Sequence, residues 1–192
     1  TGVQTCALPI WEENSDLTEY LTYYGASVDG LFLSHPHADH TGGLTELLDA
    51  GIRVGTVYVP ANATAFGAES GYAQRLEKAR AQGARVVEVA AGDTLSLGGL
   101  EATVIAPERE VTRGSDPNDR SIVLLVAAGE KTLLLLGDAD GPAEPLGVDC
   151  DVLQVAHHGS ASAARPAFLR DATPDIALIS AGKNSYGHPD GE

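Results

Sequence analysis

Cysteine is scarce in this chain of 192 residues: there are two, Cys6 and Cys150, and neither belongs to a CxxC pair. That argues against a thiolate zinc site and gives no reason to expect a disulfide framework. Basic residues are also few, 12 Lys and Arg against 27 Asp and Glu, which leaves a formal net charge of −15. Such a balance opposes long-range attraction of nucleic acid and argues against a protein that coats DNA. It leaves room for an enzyme that meets one phosphodiester at a time, because bound cations invert the local potential. Long apolar runs are missing: stretches such as Leu133–Leu136 fall far short of the ~20 residues that span a bilayer. The first residues lack the basic start and continuous apolar stretch of a signal peptide. Aromatic residues make up 5%, so large ring anchors are few. There is no internal repeat, low-complexity tract or linker, and one domain is the simplest reading.

The hydrophobic share is 43%, ordinary for a globular protein with a real core. Helical and strand patterns alternate, which predicts an α/β domain. Asp16 is placed to cap a helix over 17–24 that Gly25 stops. Strands are expected over 28–34, 54–59, 85–89, 94–97, 101–105, 122–126, 132–136, 152–156 and 176–180. A short helix is expected over 44–50, an amphipathic one over 67–82 with Tyr72, Leu76 and Ala79 on one face, and another near 166–171. Ala128-Gly129-Glu130 reads as a tight hairpin. The polar segment 107–119 reads as a loop over the site.

All six histidines fall in three short motifs. The first, Ser34-His35-Pro36-His37-Ala38-Asp39-His40, follows the apolar run Leu31-Phe32-Leu33 and is read as a loop. Its imidazoles and carboxylate suit zinc, manganese or iron. Strand 132–136 ends at Gly137-Asp138, strand 152–156 at His157-His158, and strand 176–180 leads into a loop that reaches His188. Ligands on loops at one sheet edge converge, because the strands fix their starting points. His35, His37, Asp39 and His40 can face two neighbouring cations, with Asp138 between them; such pairs serve hydrolysis. Plainer readings stand beside these. Asp138 could cap a turn, His157 or His158 could be structural, and His188 could be an ordinary turn residue. Ser160 and Ser162 read as helix caps, not nucleophiles. Lys183 and Asn184 read as loop residues, with contact to a substrate phosphate as the alternative.

The SHPHADH segment resembles the HxHxDH signature of the metallo-β-lactamase fold hydrolases. Asn118-Asp119-Arg120-Ser121-Ile122-Val123-Leu124, then LLLLGDAD with Glu144 after it, then DVLQVAHHGS and IALISAGKNSYGHP, are similar in order and spacing to the C-terminal hydrolase domain of ComEC-type DNA-internalisation competence proteins. The resemblance covers roughly residues 17 to 189. It implies a four-layer αββα sandwich, here N-terminally truncated, with metals at one edge of two sheets. It also implies two divalent metal ions, Zn or Mn. His35 and His37 would bind one, Asp39 and His40 the other, Asp138 would bridge, and His188 would complete the second site. His158, with His157 as the alternative, would ligate or act as a general acid, and Asp39 would also orient the attacking nucleophile.

Two departures from that pattern matter. Where many relatives have a histidine, this chain has Asp116-Pro117-Asn118-Asp119. The first metal is then short of a nitrogen, to be made up by His158 or by an oxygen of Asn118 or Asp119, and more oxygen shifts preference toward manganese. The opening strands of the family are also missing, which would expose a sheet edge. Residues 1–10, TGVQTCALPI, resemble the conceptual translation of a short-read sequencing adapter and are set aside, leaving 11–192 as a single domain that reads as cut at both ends. The expected activity is phosphodiester hydrolysis of the DNA-uptake type. The expected partners are single-stranded DNA or a small phosphodiester and a membrane channel domain of the same parent protein. The hydrolase would then work at the extracytoplasmic face of the cell membrane. The alternatives are a stand-alone hydrolase of small esters, lactones or amides, and a non-catalytic binding domain that retains the fold.

Overall fold

In a computed structural model, residues 6–7, 16–61, 70–110, 116–182 and 184–191 are described. The elements, in chain order, are β1 (Cys6–Ala7), α1 (Asp16–Tyr23), β2 (Val28–Phe32), α2 (Ala38–Asp49), β3 (Val54–Pro60), α3 (Ser70–Ala81) and β4 (Arg85–Val89). They continue with β5 (Thr94–Leu97), β6 (Leu100–Ala106), β7 (Val123–Ala128), β8 (Lys131–Leu135), β9 (Val152–Gln154), α4 (Pro166–Ala172) and β10 (Ile176–Leu178). One sheet runs β1-β2-β3-β4, all parallel. The other runs β10-β9-β8-β7-β6-β5, parallel through β8 and antiparallel beyond it. Two residues of the segment set aside above therefore pair with β2, Cys6 opposite Gly30 and Ala7 opposite Leu31.

Three seams of buried side chains stack these elements into an α/β, four-layer αββα sandwich. The first packs Leu21 of α1, Leu44, Leu47 and Leu48 of α2, and Tyr72, Leu76 and Ala79 of α3 against Leu31, Val57 and Val59. The expected 72/76/79 face of α3 is that buried stripe. The second seam joins the sheets, with Phe32 and Val89 meeting Val104, Ile122, Leu124 and Leu135. Phe32 also stacks on Tyr58 at 4.6 Å. The third packs Phe168 and Ala172 of α4 against Leu134, Leu136 and Leu153. β3 is largely buried on both faces, as parallel strands covered on both sides are.

Most expected elements are present with ends shifted by a few residues, while β9 and β10 are shorter than read. Residues 67–69 of the expected third helix lie outside the described residues, as do 111–115 of the polar loop. The 128–130 hairpin forms, Ala128 facing Lys131 with Gly129 at φ +65°. The larger difference is α2, which begins at Ala38, six residues before the expected start. Gly42 and Gly43 lower helix propensity, but both are buried, so close packing rather than intrinsic preference decides. Asp39 and His40 therefore sit on the first helical turn and not on a loop. No helix among the described residues is long and apolar enough to cross a membrane.

Candidate metal centre

The segments that follow β2, β8 and β9 each deliver ligand-type residues to one edge of the sandwich. After β2 come His35, fully buried, His37, which precedes α2, and then Asp39 and His40 on its first turn. After β8 the chain turns at Gly137, φ +56°, to present Asp138. A Cβ on Gly137 would lie 2.9 Å from Ser34 Cβ and 3.0 Å from Ser121 Cβ, so only glycine admits this approach between the two sheets. After β9 come His157 and His158, both with positive φ (48° and 55°), followed by Gly159 at φ 76°. Two consecutive non-glycine residues in the left-handed region are costly and mark a turn held for what it presents.

Asp138 lies at the centre. Its Oδ1 is 3.2 Å from His40 Nε2, and its Oδ2 is 3.6 Å from His35 Nε2 and 3.9 Å from both His157 Nε2 and His158 Nε2. Asp39 Oδ2 is 3.6 Å from His158 Nε2 and 3.8 Å from His40 Nε2. Ring nitrogens also face one another: His35 Nε2 and His37 Nδ1 are 3.0 Å apart, His40 Nε2 and His158 Nε2 3.4 Å. Among the described residues two sets have donor atoms close enough to share a cation, His35/His40/Asp138 and Asp39/His40/His158. His188 lines the same cavity of about 700 Å³, along with His37, Asp39, Arg75, Asn118 and Tyr186. Its ring lies against that of His157 at 5.4 Å, outside both sets.

The surroundings fix which atoms face inward. Ser34 Oγ contacts Nδ1 of both His35 (3.1 Å) and His40 (3.0 Å), and Ser121 Oγ lies 3.3 Å from His35 Nδ1 while accepting the Asp138 N–H. When both Nδ1 atoms donate to these hydroxyls, the tautomer that ligation through Nε2 requires, both Nε2 lone pairs face Asp138. Burial and then the neighbouring His40 hold the His35 pKa well below its ordinary 6.5, so its imidazole is neutral. Burial pushes Asp138 up, but the hydrogen bond and charge of His40 and the charge of His35 outweigh it, and its carboxyl ends lower than usual. Asp39 is held far below the ordinary carboxylate range, chiefly by its bond to His158, whose pKa that bond raises. Lone pairs and carboxylates that converge in this way repel unless a positive species lies among them. Two imidazole ligands ~2.0–2.1 Å from one ion lie about 3–3.4 Å apart, which is the spacing of both facing pairs. The donor set fits divalent cations.

Sequence reasoning missed Asp140. Its Oδ2 accepts His157 Nδ1–H at 2.8 Å and the hydroxyls of Ser160 and Ser162, each at 2.6 Å. Burial raises its pKa, but the two serines and His157 outweigh this and lower it. Ser160 and Ser162 therefore serve Asp140 instead of capping a helix; α4 has Arg165 at its N-cap and no side-chain cap. The available signal was the GDAD spacing, which repeats at a strand end the alternate-residue pattern of HxH. Asn118 lines the cavity with its Oδ1 buried and without a hydrogen-bond partner, whereas Asp119 is exposed. Burial and the charges of Asp116 and Asp140 raise the Asp119 carboxyl. Asn184 is spent on its own loop: its Nδ2 donates to Gly182 O and His188 O, and its Oδ1 accepts the N–H groups of Tyr186, Gly187 and His188. Lys183 lies outside the described residues.

A sandwich of two sheets between helices, with histidines and aspartates gathered at one edge, defines a metallo-hydrolase fold. The chain belongs to the metallo-β-lactamase superfamily, whose family model matches residues 14–183. Its relatives narrow the resemblance to ComEC-type competence proteins. It is 34% identical over 184 residues to ComE operon protein 3 of Bacillus subtilis (strain 168), covering 90% of this chain and 23% of that protein. It is 31% identical over 172 residues to Recombination protein 2 of Haemophilus influenzae (88% and 19%), and 29% identical over 170 residues to Competence protein ComA of Neisseria gonorrhoeae (84% and 21%). The chain thus spans less than a quarter of each of these relatives. Among solved structures, a variant of the β-hydroxylase CmlA aligns at a TM-score of 0.50 with 24% identity, over 69% of this chain and 26% of that one. That likeness speaks for the fold alone.

Proposed function

We propose that this domain is a binuclear metal-dependent phosphodiesterase, a DNA nuclease of the competence type, working beside a membrane channel domain in the same parent protein at the extracytoplasmic face of the membrane. The observation that carries the metal reading is the Asp138 carboxylate, buried and facing ring nitrogens on both of its oxygens. The competence-protein relatives support the phosphodiester. His35, His37 and Asp138 would hold one cation, with Asn118 Oδ1 as the oxygen that replaces the missing histidine. Asp39, His40, His158 and Asp138 would hold the other, and His158 there takes the place the resemblance gives to His188. An oxygen among nitrogens is compatible with manganese as well as zinc.

When bound, the cations supply Lewis-acid charge for the oxygens of the reacting phosphate and lower the pKa of water. The chain's own residues do the rest. Ser34 and Ser121 keep His35 and His40 in the tautomer whose Nε2 faces inward. Asp39 orients the nucleophile from the first turn of α2. His158 stays beside Asp39, and Asp140 holds the His157 ring with its Nε2 turned to the cavity. The carboxylates of Asp39 and Asp138 would repel a phosphodiester in the bare protein, so substrate binding depends on prior metal loading.

The experiment measures metal content and turnover together. With Mn2+ or Zn2+ added, the protein should carry about two ions per chain and cleave bis-p-nitrophenyl phosphate, and Asp138→Asn should lose turnover while remaining folded. Cleavage of a chromogenic lactam or ester in place of the phosphodiester would establish the small-substrate alternative. Fewer than about one ion per chain would establish a non-catalytic domain.

A further inference from the structure

Arg75 and Tyr186 are among the residues of the cavity wall that the metal centre does not use. Arg75 lies on α3. Its Nη1 donates to Thr41 Oγ1 at 3.1 Å, and that hydroxyl in turn donates to the His37 carbonyl at 2.9 Å, so the guanidinium is tied to the segment that carries HxHxDH. It folds over Gly71, where a Cβ would stand 3.0 Å from Nη1. Among the described residues no carboxylate pairs with it. An ion pair would neutralise this arginine; a hydroxyl pins it and leaves its charge and its remaining donors for something else. In a chain of net charge −15, a cation kept unneutralised on the wall of a hydrolytic cavity serves an anion.

Tyr186 is 83% exposed and lies face to face with His188, ring centroids 6.4 Å apart and planes 22° apart. Its loop is fastened from within by Asn184 and from without by the Asp190 N–H, which donates to Gly159 O at 2.8 Å. An exposed ring on a loop tied down in this way is a stacking platform, because little entropy is lost when a planar ligand covers it.

We propose that Arg75 and Tyr186 are the residues that select a single-stranded nucleic acid: Arg75 takes a backbone phosphate from α3, and Tyr186 stacks an unpaired base from the 184–188 loop. This rests on the phosphodiesterase reading and deepens it. Phosphate oxygens match the guanidinium fork, and the bases of a duplex are already stacked on each other and cannot use the ring. A small phosphodiester without a base would use Arg75 alone.

The test uses the full chain loaded with Mn2+ and a fluorescein-labelled phosphorothioate oligothymidylate of about eight nucleotides, with affinity read by anisotropy over a series of salt concentrations. Arg75→Gln should weaken binding about tenfold and flatten the salt dependence by about 0.7, the share of one phosphate on a single strand. Tyr186→Ala should weaken binding about tenfold with an unchanged slope, and the loss should vanish on an abasic strand of the same length. Both variants should keep the parent's metal content and melting temperature. The inference is overturned if either variant binds like the parent, or if metal is lost in step with affinity, which would make Arg75 a buttress of the His37 segment. If the parent cleaves bis-p-nitrophenyl phosphate while the variants bind unchanged, the inference falls and the enzymatic reading stands. If the variants behave as stated but no phosphodiester is cleaved, the enzymatic reading falls and the strand-binding site stands.

Discussion

Ser34→Ala removes one buried hydroxyl that touches both inward-facing histidines, and its effect follows from the count of partners. His35 Nδ1 keeps Ser121 Oγ at 3.3 Å, but His40 Nδ1 loses its 3.0 Å contact with Ser34. A buried imidazole N–H left without an acceptor costs about 1–3 kcal/mol, so the metal-free protein should unfold at lower urea by that amount. The ring is also released to flip tautomer or to rotate, which turns the Nε2 lone pair away from Asp138. Loss of such a partner typically costs about 10–100-fold in metal affinity, or roughly 1.4–2.7 kcal/mol. The assay is calorimetric titration of the metal-free protein with Mn2+, beside urea unfolding in a chelator. Nitrogen-15 spectra of the imidazoles report the tautomer directly. Stability that falls while affinity stays within twofold of the parent would refute the idea that this hydroxyl sets the tautomer.

Other expectations follow from neighbouring contacts. Asp140→Asn keeps the size of the side chain but removes the charge that holds His157, Ser160 and Ser162; turnover should fall about 10–100-fold with little change in KM, and a parent-like kcat would rule out a role for the His157–Asp140 pair. Gly137→Ala should destabilise by about 3 kcal/mol or more, from the positive φ and the contact with Ser34 Cβ together, which urea unfolding will show. The Asp151 carboxylate accepts from the Lys131 ammonium and from Thr132 N–H and Oγ1–H, and Lys131 first, then Thr132, hold its pKa at about 2 against an ordinary 3.8. A depressed carboxylate stabilises above its unfolded pKa and loses that contribution as pH falls through the folded one. Asp151→Asn should therefore lower the melting temperature at pH 6, with the difference from the parent shrinking between about pH 4 and pH 2; a difference that persists at pH 2 would show that packing and not charge is responsible.

The elements that were legible in the sequence are those whose burial is written in their own periodicity. The 72/76/79 stripe of α3 and the apolar runs of β7 and β8 need no tertiary knowledge. The start of α2 was hidden because Thr41, Gly42 and Gly43 are poor helix formers locally, and all three are buried, where tertiary surroundings override intrinsic preference. The ligand residues could be named from their motifs, yet their grouping could not. Asp39 and His40 are joined by His158 from 118 positions beyond His40, a pairing that depends on how β9 lies beside β8. Asp140, Ser34 and Ser121 act through histidines, and nothing in their own spacing says which ring each will meet. Arg75 was invisible for the same reason: in sequence it is one more charge on a helix.

The Ile122 N–H donates to the Ser34 carbonyl at 2.8 Å. This is a direct backbone bond from the strand end that bears the first motif to the entry of β7 in the opposite sheet. The two halves of the sandwich are thus bolted together at the very residue whose hydroxyl aligns the imidazoles. Hinging the two halves apart would break this bond and disturb the alignment with it, so the order of the centre is tied to the seam between the sheets.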